Sequence, residues 1–422
     1  MEAVIITFVI LAVFLVLSVP IGVSIGFAVM VGVWLSDMPM VFYSQRFFAN
    51  FDSFPLMAIP FFVLAGDIMQ HGTLSNSLLG LCRATAGHLR GGLAHISILT
   101  ALFYGALCGS AAATTAAVGG TMIPAMEKEG YPKAFSTAVN AAGGSLGVMI
   151  PPSIALILYG AFGSVSVSDL FIATIVPGIM VGIAFMITSA IIVRRHGYGI
   201  MRPRAGWGER WRAFKKAALA LGVPVIVLGG IYGGITTPTE AGVVAVVYAL
   251  VVEGFVTKAL NRRNFKRIMN SSLRTLGMLF LIIITANALG TFLLVYNMQD
   301  LIVHGMKSVT SDPHVFLMLM LAVFLVLGTF LEATATILIL TPLLVPLVVS
   351  YGIHPVQFGI FMLISLSVGF LTPPVGTNLF VGCSISGVNI IDLSRAIWPY
   401  ILAMIAIVLI VAFIPQLSLF LL

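Results

Sequence analysis

The feature that most limits this chain is a set of apolar segments as long as a bilayer is thick. Crossing the hydrocarbon core takes about 20 helical residues. Ala3 to Leu35, Leu170 to Val193 and Ile397 to Leu422 match or exceed that length and carry no charged residue. In lipid a backbone must satisfy its own hydrogen bonds, so such segments cross as helices. Composition agrees: 8% of residues are charged, where a soluble domain has about 25%. The expectation is an all-α polytopic membrane protein whose largest partner is the lipid bilayer. The formal charge of +7 does not point to nucleic acid, because the basic residues sit in short loops between apolar spans. Cys82, Cys108 and Cys383 fit no metal or disulfide spacing and read as small packing residues. The first apolar stretch is too long for a signal-peptide core and lacks a basic start, so it is expected to be retained.

Basic residues in short loops mark the cytoplasmic side. One cluster runs Arg194, Arg195, Arg202, Arg204, Arg210, Arg212, Lys215 and Lys216. A second runs Lys258, Arg262, Arg263, Lys266, Arg267 and Arg274. Two crossings, Ala217 to Ile235 and Ala241 to Val256, return the chain to the side it left. Working outward, Leu93 to Ala125 begins and ends inside, whereas His314 to Val349 begins and ends outside. Both read as re-entrant helical hairpins. Of the 21 Lys and Arg, only Arg46 and Lys307 then fall outside. Pro20 either kinks one long N-terminal helix or separates two short ones.

The chain also repeats itself. Pro151-Pro152 recurs as Pro373-Pro374 at a shift of 222 positions. The same shift pairs Pro124 with Pro346, Gly130 with Gly352, Ser145 with Ser367, Gly147 with Gly369, Gly160 with Gly382 and Pro177 with Pro399. Because one unit starts inside and the other outside, the copies are inverted. Helices interrupted by Gly and Pro at matching positions of inverted repeats point to a transporter's binding site. Helix cannot run through Pro-Pro, and the freed backbone groups are tolerable only against protein or a wet cavity. Gly147 to Pro152 and Gly369 to Pro374 are therefore expected as unwound segments at mid-membrane. Freed carbonyls suit a hard monovalent cation, and helix N-termini suit a carboxylate. The hairpin tips, Gly105 to Thr115 and Leu327 to Ile337, supply the polar atoms. Ser110 and Glu332 occupy equivalent positions, and a carboxylate inside an apolar stretch is costly and usually functional. Its alternative role is to cap a hairpin helix.

Other residues carry blander readings. Asp67, His71, His95 and His314 read as interfacial, and Glu240 as an early-turn helix acid after Pro238. No Ser-His-Asp, zinc or phosphate-loop pattern is present, so an enzyme is not expected. Gly229-Gly230 and Gly233-Gly234 lack the βαβ context of a nucleotide fingerprint.

The stretch Phe54 to Gly66, the tip Gly105 to Gly119, Gly144 to Ile154, Gly229 to Ala241 and Gly369 to Asn378 together resemble one family along nearly the whole chain. It is the large membrane subunit of tripartite ATP-independent periplasmic (TRAP) transporters, the DctM-like permeases. At the first tip, where the family pattern has Ser-Gly-Ser, this chain has Cys108-Gly109-Ser110. The resemblance implies a sodium-driven elevator transporter of the bacterial inner membrane with an inverted-repeat fold, taking up a small carboxylate: a C4-dicarboxylate, sialic acid or sugar acid. It implies two partners, a small four-helix membrane subunit, expected as a separate chain, and a periplasmic substrate-binding protein. It also implies the ligands. One sodium ion (Na+) would join Gly109 and Ser110 to Ser145 and Gly147. Another would join Gly328 and Glu332 to Thr372, Gly376 and Thr377. Substrate would lie near Thr114, Pro152, Pro374 and Asn378, and no organic cofactor is implied.

The expected organisation is scaffold helices over 1–72, a first transport repeat over 73–178 (hairpin 93–125, broken helix 134–162) and scaffold helices with basic loops over 179–272. A second repeat follows over 273–400 (hairpin 314–349, broken helix 356–382), then a C-terminal helix over 401–422. The alternatives are a stand-alone ion-coupled exchanger or symporter of a related elevator superfamily, a channel, and an intramembrane enzyme.

Overall fold

Apolar spans broken by proline and glycine give a wholly helical chain in the computed structural model, which describes residues 2–36, 38–41, 44–45, 53–200 and 203–422. Arg46 and Arg202 lie outside the described residues. In chain order the helices are α1 (Glu2–Val16), α2 (Ile21–Leu35), α3 (Ala58–His71), α4 (Leu74–Ala86), α5 (Gly92–Cys108), α6 (Ala111–Lys128) and α7 (Lys133–Ser145). Next come α8 (Ile154–Gly163), α9 (Val167–Ala173), α10 (Ile175–His196), α11 (Trp207–Tyr232), α12 (Pro238–Val251) and α13 (Arg262–Val295). The last are α14 (Met298–Val309), α15 (Pro313–Phe330), α16 (Ala333–Ser350), α17 (Pro355–Gly369), α18 (Thr377–Ser386), α19 (Ile390–Phe413) and α20 (Gln416–Leu419). Among the described residues, 8 helical segments are long and apolar enough to span a membrane.

The repeat inferred from proline and glycine positions is visible in the element ends. Under the 222 shift the tip Cys108–Ala111 falls on Phe330–Ala333. The end of α6 at Lys128 falls on the end of α16 at Ser350, and the start of α7 at Lys133 falls on the start of α17 at Pro355. Both Pro-Pro bonds are cis. The two halves interlock: α18 packs on α6 and α7, α8 on α16, and α19 on α7, α10 and α17. At the centre α7 is buried from Phe135 to Ser145 and α17 from Val356 to Gly369. Polar atoms there are paired. Asn140 accepts a hydrogen bond from the Ser97 hydroxyl at 2.6 Å and donates to the Ser136 carbonyl at 2.8 Å. The Tyr159 hydroxyl ties the halves together by donating to the Pro355 carbonyl at 2.7 Å.

A second group of helices flanks this unit: α2 packs on α1 and α13, α3 on α12 and α13, and α11 on α4 and α12. Pro20 separates two helices rather than kinking one, since α1 ends at Val16 and Pro20 precedes α2. Glu240 is structural as expected: it closes a capping box with Thr237, accepting from the Thr237 amide at 2.8 Å while the Thr237 hydroxyl accepts from its own amide at 3.3 Å.

Several sequence-based boundaries need correction. The divisions after 178, 272 and 400 each fall inside a continuous helix, namely α10, α13 and α19. The physical reason is clearest for α13, a single helix of 34 residues. Its basic first half reads as a loop by hydropathy, yet Lys and Arg are good helix formers. His95, expected at an interface, is instead buried, with Nε2 3.1 Å from the Arg90 carbonyl oxygen. Asp67 is half-buried and accepts from the Ser272 hydroxyl at 2.6 Å, which joins α3 to α13.

Candidate functional site

At the first tip α5 ends at Cys108, and Gly109 turns the chain with a φ of +61°. Only glycine adopts that conformation without strain, and there is no room for more: a Cβ on Gly109 would meet the Pro152 carbonyl oxygen at 2.6 Å. The tip therefore rests directly on the first Pro-Pro break. Ser110 is the N-cap of α6, its hydroxyl accepting from the Ala113 amide at a long 3.4 Å. Thr114 donates to the Ser110 carbonyl at 2.8 Å and lies 3.2 Å from the Cys108 sulfur. On the facing break, a Cβ on Gly147 would meet the Ser110 carbonyl oxygen at 2.6 Å. A Cβ on Gly105 would meet the Gly147 Cα at 2.8 Å. Tip and break thus touch backbone to backbone.

The second half repeats the close approach with different residues. A Cβ on Gly328 would meet the Leu366 carbonyl oxygen at 2.7 Å, and one on Gly369 would collide with the Gly328 backbone. The tip turns through Leu331 in extended conformation, not through a left-handed glycine. Glu332 stands at the N-cap of α16 but its side chain makes no capping hydrogen bond. That removes the capping alternative for this carboxylate. In the second break the Thr372 hydroxyl donates to the Val368 carbonyl at 2.8 Å, and the Gly376 amide donates to the Thr372 carbonyl at 3.1 Å.

Both tips and both breaks border one cavity of about 530 Å³. Of the residues expected at the site, Gly109, Ser110, Glu332 and Thr377 line it. Glu332 and Thr377 are exposed to it, and Glu332 is the one charged residue of the lining among the described residues. The rest of the wall is largely apolar, with Val148, Ile154, Phe370 and Phe380. Gly147 and Gly328 act as tip-to-break contacts, and Gly376 has no room for a side chain beside the Phe370 carbonyl oxygen at 2.6 Å. Thr114 is buried beneath the first tip, and Pro152 is buried while Pro374 is exposed.

Ser145 is brought into neither wall: it is fully buried, and its hydroxyl donates to the Ala142 carbonyl at 2.7 Å. Asn378 is buried and donates across the repeats to the Ala141 carbonyl at 3.1 Å. Its Oδ1 has no hydrogen-bond partner among the described residues. An unpaired buried acceptor carries a cost unless a donor or cation fills it.

Two lining residues from outside both repeats' tips and breaks escaped the sequence reading. Thr275 and Leu279 come from α13, whereas Thr334 belongs to the second tip as expected. The signal for the α13 pair is their spacing of four, which places them on one helix face. Glu253, also overlooked, is a fully buried carboxylate away from the cavity. It accepts from the Thr73 and Leu74 amides at 2.9 and 3.0 Å and from the Thr257 hydroxyl at 2.5 Å, and so caps α4 from a helix far along the chain.

Residues 8–417 match the model of the tripartite ATP-independent periplasmic transporter family, DctM component. The chain is 40% identical over 97% of its length to the isethionate TRAP transporter permease protein DctMQ of Oleidesulfovibrio alaskensis, of which it spans 65%. It is 35% identical over 95% of its length to the C4-dicarboxylate TRAP transporter large permease protein DctM of Rhodobacter capsulatus, of which it spans 94%. Among solved structures the YdaH transporter of Alcanivorax borkumensis shares the fold, with a TM-score of 0.60 at 16% identity, covering 90% of this chain and 87% of that one.

Proposed function

Because the chain belongs to the DctM component family of tripartite ATP-independent periplasmic transporters, we propose that it is the multi-pass permease of a bacterial inner-membrane uptake system for a small organic anion, driven by sodium. The observation that carries this reading is the cavity where both tips, both backbone breaks and a carboxylate unpaired among the described residues, Glu332, converge. An anionic cargo beside Glu332 is repelled. Two charges about 5 Å apart at an effective dielectric near 20 repel by roughly 3 kcal/mol. A monovalent cation held between them cancels that cost, and the cavity offers oxygen atoms suited to sodium at Ser110, Glu332 and Thr377. Coupling follows: the anion binds well only when the cation is present. In this reading one ion is held at the first tip by Gly109 and Ser110 with Ser145 and Gly147, and a second by Gly328 and Glu332 with Thr372, Gly376 and Thr377, and the open Oδ1 of Asn378 is a further acceptor. Substrate lies between the tips, against the breaks at Pro152 and Pro374.

Relatives named for isethionate and C4-dicarboxylate support a small sulfonate or carboxylate as cargo. With no Arg or Lys in the cavity lining among the described residues, selectivity rests on helix termini, hydroxyls and a periplasmic binding protein. A small four-helix membrane subunit completes the complex, and the interlocked halves slide against α2, α3, α12 and α13 as an elevator.

The test is uptake into liposomes containing the permease and its small subunit, with binding protein outside and labelled isethionate, succinate or sialic acid as probes. Uptake should need both an inward sodium gradient and the binding protein. Glu332→Ala and Ser110→Ala should each shift sodium activation to higher concentration. Identical activation curves in both variants would show that the cation sits elsewhere. Uptake without the soluble partner favours a stand-alone carrier, and flux indifferent to sodium favours a channel.

A further inference from the structure

The cavity does not end at the tips. Thr275 of α13 lines it and also lines a second hollow of about 640 Å³, whose other walls include Arg263, Lys266, Arg267, Arg274 and His71. Arg263, Arg267, Ser271, Thr275 and Leu279 follow one another at intervals of four, so each neighbours the next on a ridge that winds slowly around the helix. Its lower part is strongly basic and its upper part borders the cargo cavity. Among the described residues no hydrogen bond or ion pair occupies the head groups of Arg263, Lys266, Arg267 or Arg274. Asp67, on the helix packed against α13, is already engaged by the Ser272 hydroxyl at 2.6 Å. Four unneutralised cations in a groove beside low-dielectric walls concentrate anions within it.

We propose that this groove is a release vestibule, a transient binding site for the carboxylate or sulfonate anion as it leaves the cavity for the cytoplasm. The inference rests on the transport reading above and adds a second site to it. The cavity gives its cargo no fixed cation, so a bound anion there depends on sodium. When sodium leaves, Glu332 repels the anion, and the first compensating charges along α13 are Arg274 and Arg267. The anion thus moves from a site conditional on the ion to one that is unconditional but open, and diffuses away. Basic residues placed only to orient the chain across the membrane would not need to border a hollow that shares Thr275 with the cavity.

The test places a reporter cysteine at Ser271, within the groove, in the permease complex in inside-out vesicles of zwitterionic lipid. The parent chain, with its Cys82, Cys108 and Cys383, sets the background. The expected result is that a sulfonate-bearing methanethiosulfonate reacts about tenfold or more faster than a trimethylammonium analogue. Millimolar sulfate should slow the anionic reagent, and Arg267→Gln or Arg274→Gln should bring the ratio toward one. Equal rates for the two reagents in the unaltered groove overturn the proposal. So does a preference that disappears when anionic lipid is included, because the groove then belongs to lipid headgroups. The readout needs neither sodium nor the identity of the cargo. Sodium-driven uptake without reagent preference therefore sinks the vestibule alone, and reagent preference without uptake sinks the transport reading.

Discussion

Replacing Glu253 by alanine removes a carboxylate on which α4 depends. Four hydrogen bonds converge on it: the Thr73 and Leu74 amides at 2.9 and 3.0 Å, and the Thr73 and Thr257 hydroxyls at 3.3 and 2.5 Å. The amides are donors at the start of α4 with no acceptor inside their own helix, and no local side chain caps them. Their acceptor comes instead from the helical turn after α12, a residue with no accessible surface. Hydrogen bonds to a charged group each contribute about 1.5 to 3 kcal/mol, and breaking a buried charged network costs about 3 to 5 kcal/mol. Glu253→Ala should therefore destabilise the start of α4 by about 3 to 5 kcal/mol. Glu253→Gln keeps one oxygen for the amides and should lose about half as much. Amide hydrogen exchange on the purified complex reads this directly. Because about 1.4 kcal/mol is tenfold, Thr73 and Leu74 should lose at least about 100-fold of protection in the alanine variant, with the glutamine variant between. If the alanine variant exchanges within about twofold of the parent over residues 73–86, the carboxylate is not what holds this helix.

Gly369→Ala should lower the melting temperature and abolish uptake, because the added methyl collides with the Gly328 backbone. Overpacking of this kind costs about 1 to 3 kcal/mol, and a differential scanning measurement on the purified complex checks it. Asn378→Ala removes the bond that crosses between repeats to the Ala141 carbonyl and should cost about 1 to 3 kcal/mol. Thermal unfolding unchanged by that substitution would show that the carbonyl finds water instead.

Much of this architecture is legible in the sequence because its signals are local. Proline and glycine act on their own backbone, so the matched Pro151-Pro152 and Pro373-Pro374 pairs report two breaks without any knowledge of what packs on them. Glu332 stands out because a carboxylate in an apolar run is conspicuous. What stayed hidden depends on partners distant in the chain. Glu253 lies in an apolar run just as Glu332 does, but it is satisfied by amides 179 and 180 residues away, and nothing nearby reveals that. Ser145 has the right residue type and repeat position, yet its hydroxyl turns back to its own helix, a rotamer choice that spacing cannot express. The continuity of α13 was obscured because charge and helix propensity point in different directions over its first half. The repeat also misleads slightly at the tips, where Gly109 and Leu331 solve the same turn by different backbone conformations.

The length of α13 has one more consequence, since an unbroken helix serves as a depth gauge. At 1.5 Å per residue, Leu279 lies about 24 Å and Thr275 about 30 Å from the outer end at Val295. The hydrocarbon layer is itself about 30 Å deep. The cavity therefore lies about one hydrocarbon thickness along the helix from Val295, toward its basic end. In the elevator reading proposed above, cargo handed over from the Val295 side would be met by paired tips that have climbed this helix by a distance comparable to the membrane's thickness.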